Sequence, residues 1–365
     1  MSSLFSPLTI KSVTMRNRIG VAPMCQYQAR DGVAQAWHQT HIGSLAMGGA
    51  GLIIMEATAV RADGRITPYC LGLWDQAQVA AVSSIVKFAN QQGARMGVQL
   101  AHAGRKGSSA RPWLGGAHLK AEEGGWDTIA PSHNAFDSDG TRLWKTPRAM
   151  TQDDINDIQQ CFADAAQRAL QAGFEFIEIH GAHGYLLHSF LSPLVNQRND
   201  QYGGKLENRA RMLMETVAKV RQVWPEDLPL GVRLSMTDWV EGGLTLDDTI
   251  QVSAWLKAAG VDIVDCSTGG ATPESRGSIN GGIAQQPAMA GKARRQTGIM
   301  TMAVGEITAA QQAQDIINQE EADMVLLARQ LLRDPYWPRH AAKELGADVP
   351  ALMPDLHKLF IGKNP

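Results

Sequence analysis

Two histidines and a tyrosine share one short stretch, His180-Gly181-Ala182-His183-Gly184-Tyr185. Histidines three residues apart suit a metal, but a catalytic zinc site usually takes three protein ligands, and no obvious third is paired with them. Packed into a core, the same pair would be structural. Aimed at one point, they would donate hydrogen bonds to a carbonyl or phenolate oxygen. The Tyr185 hydroxyl beside them would then act as a general acid toward a developing carbanion. Spacing alone leaves all three readings open.

Other residues offer complementary chemistry. Arg233 interrupts the apolar run Leu228–Ser235. A buried arginine needs an anion, so it either pairs with Glu56 or Asp262 or stabilises an anionic cofactor ring. Gly305 and Ala328-Arg329 follow two late apolar runs. There a glycine lets backbone approach a phosphate and an arginine supplies a bidentate fork. Cys25, within Pro23-Met24-Cys25-Gln26-Tyr27, is either a nucleophile or an inert buried thiol. Glu56 and Ala57 end another run, and Gln99 precedes His102-Ala103-Gly104-Arg105-Lys106.

These residues need a scaffold that brings them to one place. Eight short, nearly continuous apolar runs read as strands buried on both faces: Ile19–Met24, Gly51–Ala57, Met96–Ala101, Phe174–His180, Leu230–Ser235, Val261–Cys266, Met300–Val304 and Met324–Ala328. Amphipathic stretches alternate with them: Asp75–Gln92, Thr151–Ala172, Leu206–Val223, Thr245–Ala259 and Thr308–Asn318. Thr151 is an N-cap, and Gly93 and Gly173 are stops. Regular alternation implies parallel strands and right-handed crossovers. Eight units predict an α/β fold, a closed (β/α)8 TIM barrel spanning 1–365 as one domain. The alternative, an open dinucleotide-binding sheet, lacks a GxGxxG after its first strand. In a barrel, function sits where strands end, and the residues above fall there. Residues 104–150, rich in Gly, Trp and polar side chains, form an insertion after the third strand that caps the site.

The 365 residues carry a formal charge of −2 with no long basic run, so nucleic acid is not an expected partner. The four cysteines form no CxxC pair, which argues against zinc ribbons and iron–sulfur clusters. No apolar run reaches the ~18 residues of a membrane span, and the start lacks the apolar core of a signal peptide. The expected location is the cytoplasm.

In this order the fragments resemble the old yellow enzyme family over nearly the whole chain. Leu4-Phe5-Ser6-Pro7-Leu8 and Arg16-Asn17-Arg18-Ile19 look like the family's opening. Asn196–Arg211 resembles its N-x-R-x-D-x-Y-G-G-S-x-x-N-R-x-R signature, with Lys205 in place of Ser, read as a surface change in a turn. His-x-x-His-x-Tyr is a second match. Pro-Met-Cys-Gln-Tyr looks like the bacterial xenobiotic-reductase, thermophilic-like branch, whose cysteine lies near the flavin. The resemblance implies non-covalent FMN lined by Pro23, Met24, Cys25 and Ala57. Gln99 would bond the pyrimidine part of the ring, and Arg233 would stabilise reduced, anionic flavin. Gly305, Ala328 and Arg329 would hold the phosphate. His180 and His183 would bind the substrate oxygen, Tyr185 would donate the proton, and Tyr27 would border the pocket.

The implied activity is an NADPH dehydrogenase, or ene-reductase, using NADPH (or NADH) to reduce α,β-unsaturated carbonyls, imides and nitroalkenes by a ping-pong route, with nitro compounds as further acceptors. The resemblance also implies a homodimer or a dimer of dimers. The branch often sends a C-terminal Arg or Trp into a partner's site. This tail has neither, and Lys358 or Phe360 stands there instead. A dienoyl-CoA-type reductase would need a cysteine cluster and more length. An aldolase would need a Schiff-base lysine within a strand. A non-catalytic barrel would purify colourless.

Overall fold

The short β-branched runs become strands because each can bury both faces, one against the others' side chains and one against helices. The structure is a computed structural model describing residues 3–136, 144–275 and 283–361. A hairpin, β1 (Leu8–Ile10) and β2 (Val13–Met15), precedes β3 (Ile19–Val21), α1 (Ala36–Gly48), β4 (Leu52–Ala59), α2 (Gln76–Gln91) and β5 (Arg95–Ala101). Residues 104–150 follow, with the short strands β6 (Ile129–Ala130) and β7 (Arg148–Ala149). Next come α3 (Gln152–Ala172), β8 (Phe176–Gly181), α4 (Leu186–Leu191), α5 (Leu206–Val223), β9 (Leu230–Ser235), α6 (Leu246–Ala258) and β10 (Ile263–Ser267). The chain continues through α7 (Gln286–Thr297), β11 (Met300–Val304), α8 (Ala310–Asn318), β12 (Met324–Leu327), α9 (Arg329–Arg333), α10 (Trp337–Glu344) and α11 (Asp355–Ile361).

Strands β3, β4, β5, β8, β9, β10, β11 and β12 close into one parallel barrel in sequence order, the predicted (β/α)8 topology. All eight expected strands form, several trimmed or extended by one to three residues at their ends. The hairpin and helices α1, α4, α7, α9, α10 and α11 were not anticipated from the pattern. Helix α1 mixes polar and apolar side chains around its whole circumference, and α7 is rich in Arg, Lys and Gln, so neither carries a clean stripe. Among the described residues no helix is long and apolar enough to cross a membrane.

Alternation along each strand splits the core into two layers. Ile53, Met55, Met96, Val98, Ile177, Ile179, Val232 and Val325 face the helices. Leu52, Ile54, Phe176, Ile263, Met302, Met324 and Leu326 fill the barrel interior, where Leu8, Ile10 and Met15 of the hairpin join them. Phe176 takes the room left by two glycines. A Cβ on Gly97 would lie 2.7 Å from its ring, and one on Gly231 2.6 Å.

Side-chain capping explains where three of the helices start. Asp75 accepts from Ala77 N at α2, Thr151 and Asp154 form a reciprocal box at α3, and Thr245 does the same with Asp248 at α6. Helix α5 is one of several without a side-chain cap, alongside α4, α7 and α8. Its N-cap is Lys205, in extended backbone with no side-chain cap. The substitution read from sequence as a surface change in a turn is exposed, as expected, yet it also removes a helix cap.

Two stability changes follow. Lys205→Ser restores an acceptor for the α5 amides and should raise unfolding free energy by about 1 kcal/mol in denaturant titrations. Gly97→Ala should lower it by about 1–3 kcal/mol, and a Phe176→Leu background should relieve much of that loss.

Candidate active site

The interior changes character toward the strands' carboxyl ends. One turn above Phe176 the inward residues are Gln99, Glu178, Arg233 and Asp265, from four neighbouring strands. Gln99 pairs in register with Glu178 on the next strand, and Asp265 with Arg233. All four are buried. Gln99 Nε2 donates to Glu178 Oε1 at 2.7 Å, and Arg233 Nε lies 3.0 Å from Asp265 Oδ2. The ion-pair reading of Arg233 therefore stands with a different partner. Glu56 is engaged by Gln26 N and His38, and Asp262 by Lys11 and Arg221. Burial and the neighbouring Asp265 push the Glu178 carboxyl well above the usual range, so it keeps its proton and Asp265 balances Arg233. Glu178 and Asp265 were missed from sequence. The signal was the one that exposed Arg233, a charged residue at inward parity in an apolar strand.

Above this layer lies the turn after β8. The His180 ring is 5.2 Å from that of His183 and 5.0 Å from that of Tyr185, each edge-on. His180 Nδ1 accepts from Ala182 N at 3.3 Å, which leaves its Nε2 as donor. His183 Nε2 is 2.7 Å from Ser267 Oγ, which leaves its Nδ1 for another partner. Burial, then the Arg233 charge, pull both histidines well below their ordinary value, so they are neutral donors rather than cations. His183 has φ +61°, a conformation costly for a side-chain-bearing residue. Ser235 Oγ accepts from its N–H at 2.9 Å, and Lys106 Nζ donates to its carbonyl at 2.6 Å. Lys106, named from the sequence in the run after the third strand but given no role there, also lies over the Tyr185 ring at 5.1 Å.

Among the described residues, cavities at this end of the barrel include two that border His183 and Tyr185. One, of about 520 Å³, is lined by His183, Ser267, Val304, Gly305, Ala328 and Arg329, among others. The other, of about 310 Å³, is lined by Tyr27, Lys106, Trp144 and Tyr185 among others. Ala57 faces Tyr185 across a small crevice, while Met24 lines another with Glu56 and His38. Cys25 lies beside Tyr27. Burial raises its thiol well above the usual range, with Cys70 and Glu56 adding to the effect, so it is a neutral thiol and no ready nucleophile. Pro23 precedes this group in the same loop after β3. Gly305 has φ +125°, and Arg329 is 3.8 Å from Glu306.

Residues 104–150 do reach over the site, although 137–143 lie outside the described residues. Trp144 stacks edge-on with His118 and Phe136, Trp126 Nε1 donates to Asp63 O, and exposed Trp113 meets Tyr27 edge-on. In the tail, Lys358 pairs with Asp355 and Phe360 is 76% exposed. Residues 362–365 lie outside the described residues.

Comparison with known proteins gives a consistent result. Residues 3–348 match the model of the NADH:flavin oxidoreductase / NADH oxidase family. The chain is 43% identical to an NADPH dehydrogenase of Halalkalibacterium halodurans, over 95% of this chain and 96% of that one. It is 45% identical to an NADPH dehydrogenase of a Geobacillus species, again over 95% and 96%. Among solved structures, the old yellow enzyme homologue from Zymomonas mobilis superposes with a TM-score of 0.77 at 26% identity, covering 96% of each chain.

The buried neutral histidines make stability depend on pH. Burial pulls His180 and His183 well below 6.5 and brings His41 and His118 down to about 4. As pH falls through 6.5 the unfolded chain gains protons that the folded chain refuses, so stability is lost. Urea midpoints should therefore drop from about pH 7.5 to about pH 5. A His41→Gln, His118→Asn variant should show a shallower drop, and an identical slope would remove these two histidines from the account.

Proposed function

The chain belongs to the NADH:flavin oxidoreductase / NADH oxidase family, the old yellow enzymes, whose flavin is FMN reduced by a nicotinamide nucleotide, and from that premise we propose that it is an NADPH-dependent ene-reductase. Its substrates are α,β-unsaturated aldehydes, ketones, imides and nitroalkenes, with nitro compounds as further acceptors. The observation that carries this reading is the cluster of two neutral histidines and a tyrosine at the carboxyl end of the barrel, beside a buried arginine.

The residues present fit FMN. Arg233 is 6% exposed, and among the described residues its terminal nitrogens have no protein acceptor, so its charge is available to an electron-rich ring. The donor side of the Gln99 amide is taken by Glu178, which leaves its carbonyl for a ring N–H. Gly305, with its positive φ, and Arg329 line the larger cavity, as a phosphate cradle requires. Pro23, Met24, Cys25, Ala57 and Ala328 complete the proposed contacts.

When bound, FMN supplies hydride acceptance from the nicotinamide and hydride donation to the alkene. The protein's task is orientation and charge. His180 Nε2 and His183 Nδ1 bind the substrate oxygen and draw electron density from the β-carbon. Tyr185 protonates the α-carbon. Burial, with the neighbouring Cys25, holds the Tyr27 phenol protonated, so it borders the pocket as a neutral donor. Trp144 and Lys106 line the entrance beside it.

An anaerobic absorbance spectrum tests the proposal. The flavin bands of the purified protein should bleach with NADPH and return with 2-cyclohexenone. Bleaching without return would keep the cofactor and dismiss the alkene. Tyr185→Phe should slow reoxidation by about 100-fold while reduction by NADPH is unchanged. Equal rates in both variants would remove Tyr185 as proton donor.

A further inference from the structure

The peptide joining His183 to Gly184 is held from both sides. Lys106 Nζ donates to its carbonyl at 2.6 Å, and its N–H donates to His188 Nδ1 at 2.7 Å. His188 stands in α4, four residues on, and is fully buried. Because Nδ1 accepts, the imidazole proton is on Nε2. That nitrogen lies 3.1 Å from Asp238 Oδ1, in the loop after β9. Asp238 is fully buried too, and its Oδ2 accepts from Ser192 Oγ at 2.6 Å and Leu244 N at 2.9 Å. Gly184 has φ +74°, and a Cβ there would lie 2.0 Å from Gly270 O, so the turn has no room to shift toward that loop.

Burying an imidazole and a carboxylate together brings little net stability compared with apolar side chains of the same volume. Their arrangement instead fixes one peptide plane, that of His183 and Gly184, which lies between the side-chain-bearing residues His183 and Tyr185. We propose that His188, held in its Nε2–H tautomer by Asp238, is a positioning residue that orients His183 and Tyr185 for oxygen binding and proton delivery. This rests on the ene-reductase reading for the step it serves, and on geometry alone for the clamp.

Two substitutions separate the ends of the imidazole. In His188→Asn the amide oxygen replaces Nδ1 and still accepts from Gly184 N. In His188→Gln the amide reaches the Nε2 position, so Asp238 keeps a donor and Gly184 N loses its acceptor. Three readouts are taken on each FMN-loaded variant: exchange of the Gly184 amide, 4-hydroxybenzaldehyde affinity, and the two half-reactions with NADPH and 2-cyclohexenone. The Gln variant should lose amide protection, bind the phenol at least about tenfold more weakly and reoxidise at least about tenfold more slowly, with reduction by NADPH unchanged. The Asn variant should stay near wild type in all three. Equal loss in both variants, with slower reduction and a lower Tm, would make the pair merely structural and overturn the proposal. So would wild-type behaviour of the Gln variant. If the wild-type protein itself ignored 2-cyclohexenone, the ene-reductase reading would fall, while amide exchange would still decide the clamp.

Discussion

A guanidinium cannot sit inside a barrel without an anion, and the strand registers here are arranged around that requirement. Arg233 is balanced by Asp265, whose neighbour Glu178 keeps its proton, and Glu178 is in turn held by Gln99. The four side chains come from four adjacent strands, so the network exists only in the observed strand register. Below it the interior is apolar and filled around Phe176. Above it are neutral histidines and the cavities. The same positive charge that helps keep His180 and His183 neutral is left available to a bound ring.

Strain is concentrated at this end. Tyr27, His183 and Glu306 all have positive φ, and each follows a different barrel strand. Such conformations persist only where surrounding contacts over-determine them. At His183 those contacts are visible, from Ser235, Lys106 and His188. The turn behaves as part of the scaffold rather than as a loop laid over it.

Much of this was legible in the chain. Strands buried on both faces announce themselves as unbroken apolar runs, and helices α2, α3, α5 and α6 carry caps or clear stripes. The candidate residues after the strands were singled out because a barrel assigns function to that end, and the structure brings His180, His183 and Tyr185 together there. What escaped notice did so for physical reasons. Glu178 and Asp265 act through neighbours far apart in sequence, and the identity of Arg233's partner depends on register, which periodicity does not contain. His188 looks like any helical histidine until Asp238 is brought beside it. The most recognisable segment, 196–211, proves to be largely architecture. Asn196 binds Phe190 O and Tyr202 O, Arg198 binds Pro131 O and Met150 O, and Arg209 binds Leu191 O. It ties α4 and the residues of the capping segment together.

The two-residue alternation of the strands has an evolutionary corollary. Inserting or deleting one residue within β8, β9 or β10 would exchange the inward and outward sets of that strand. Glu178, Arg233 or Asp265 would then be thrust among the aliphatic side chains of the helices, and a leucine or valine into the polar layer. A length change is therefore borne better in the connections beyond the strands' carboxyl ends than within the strands. The segment 104–150 is such a connection, where residues can be gained or lost while the polar layer in the barrel beneath keeps its register.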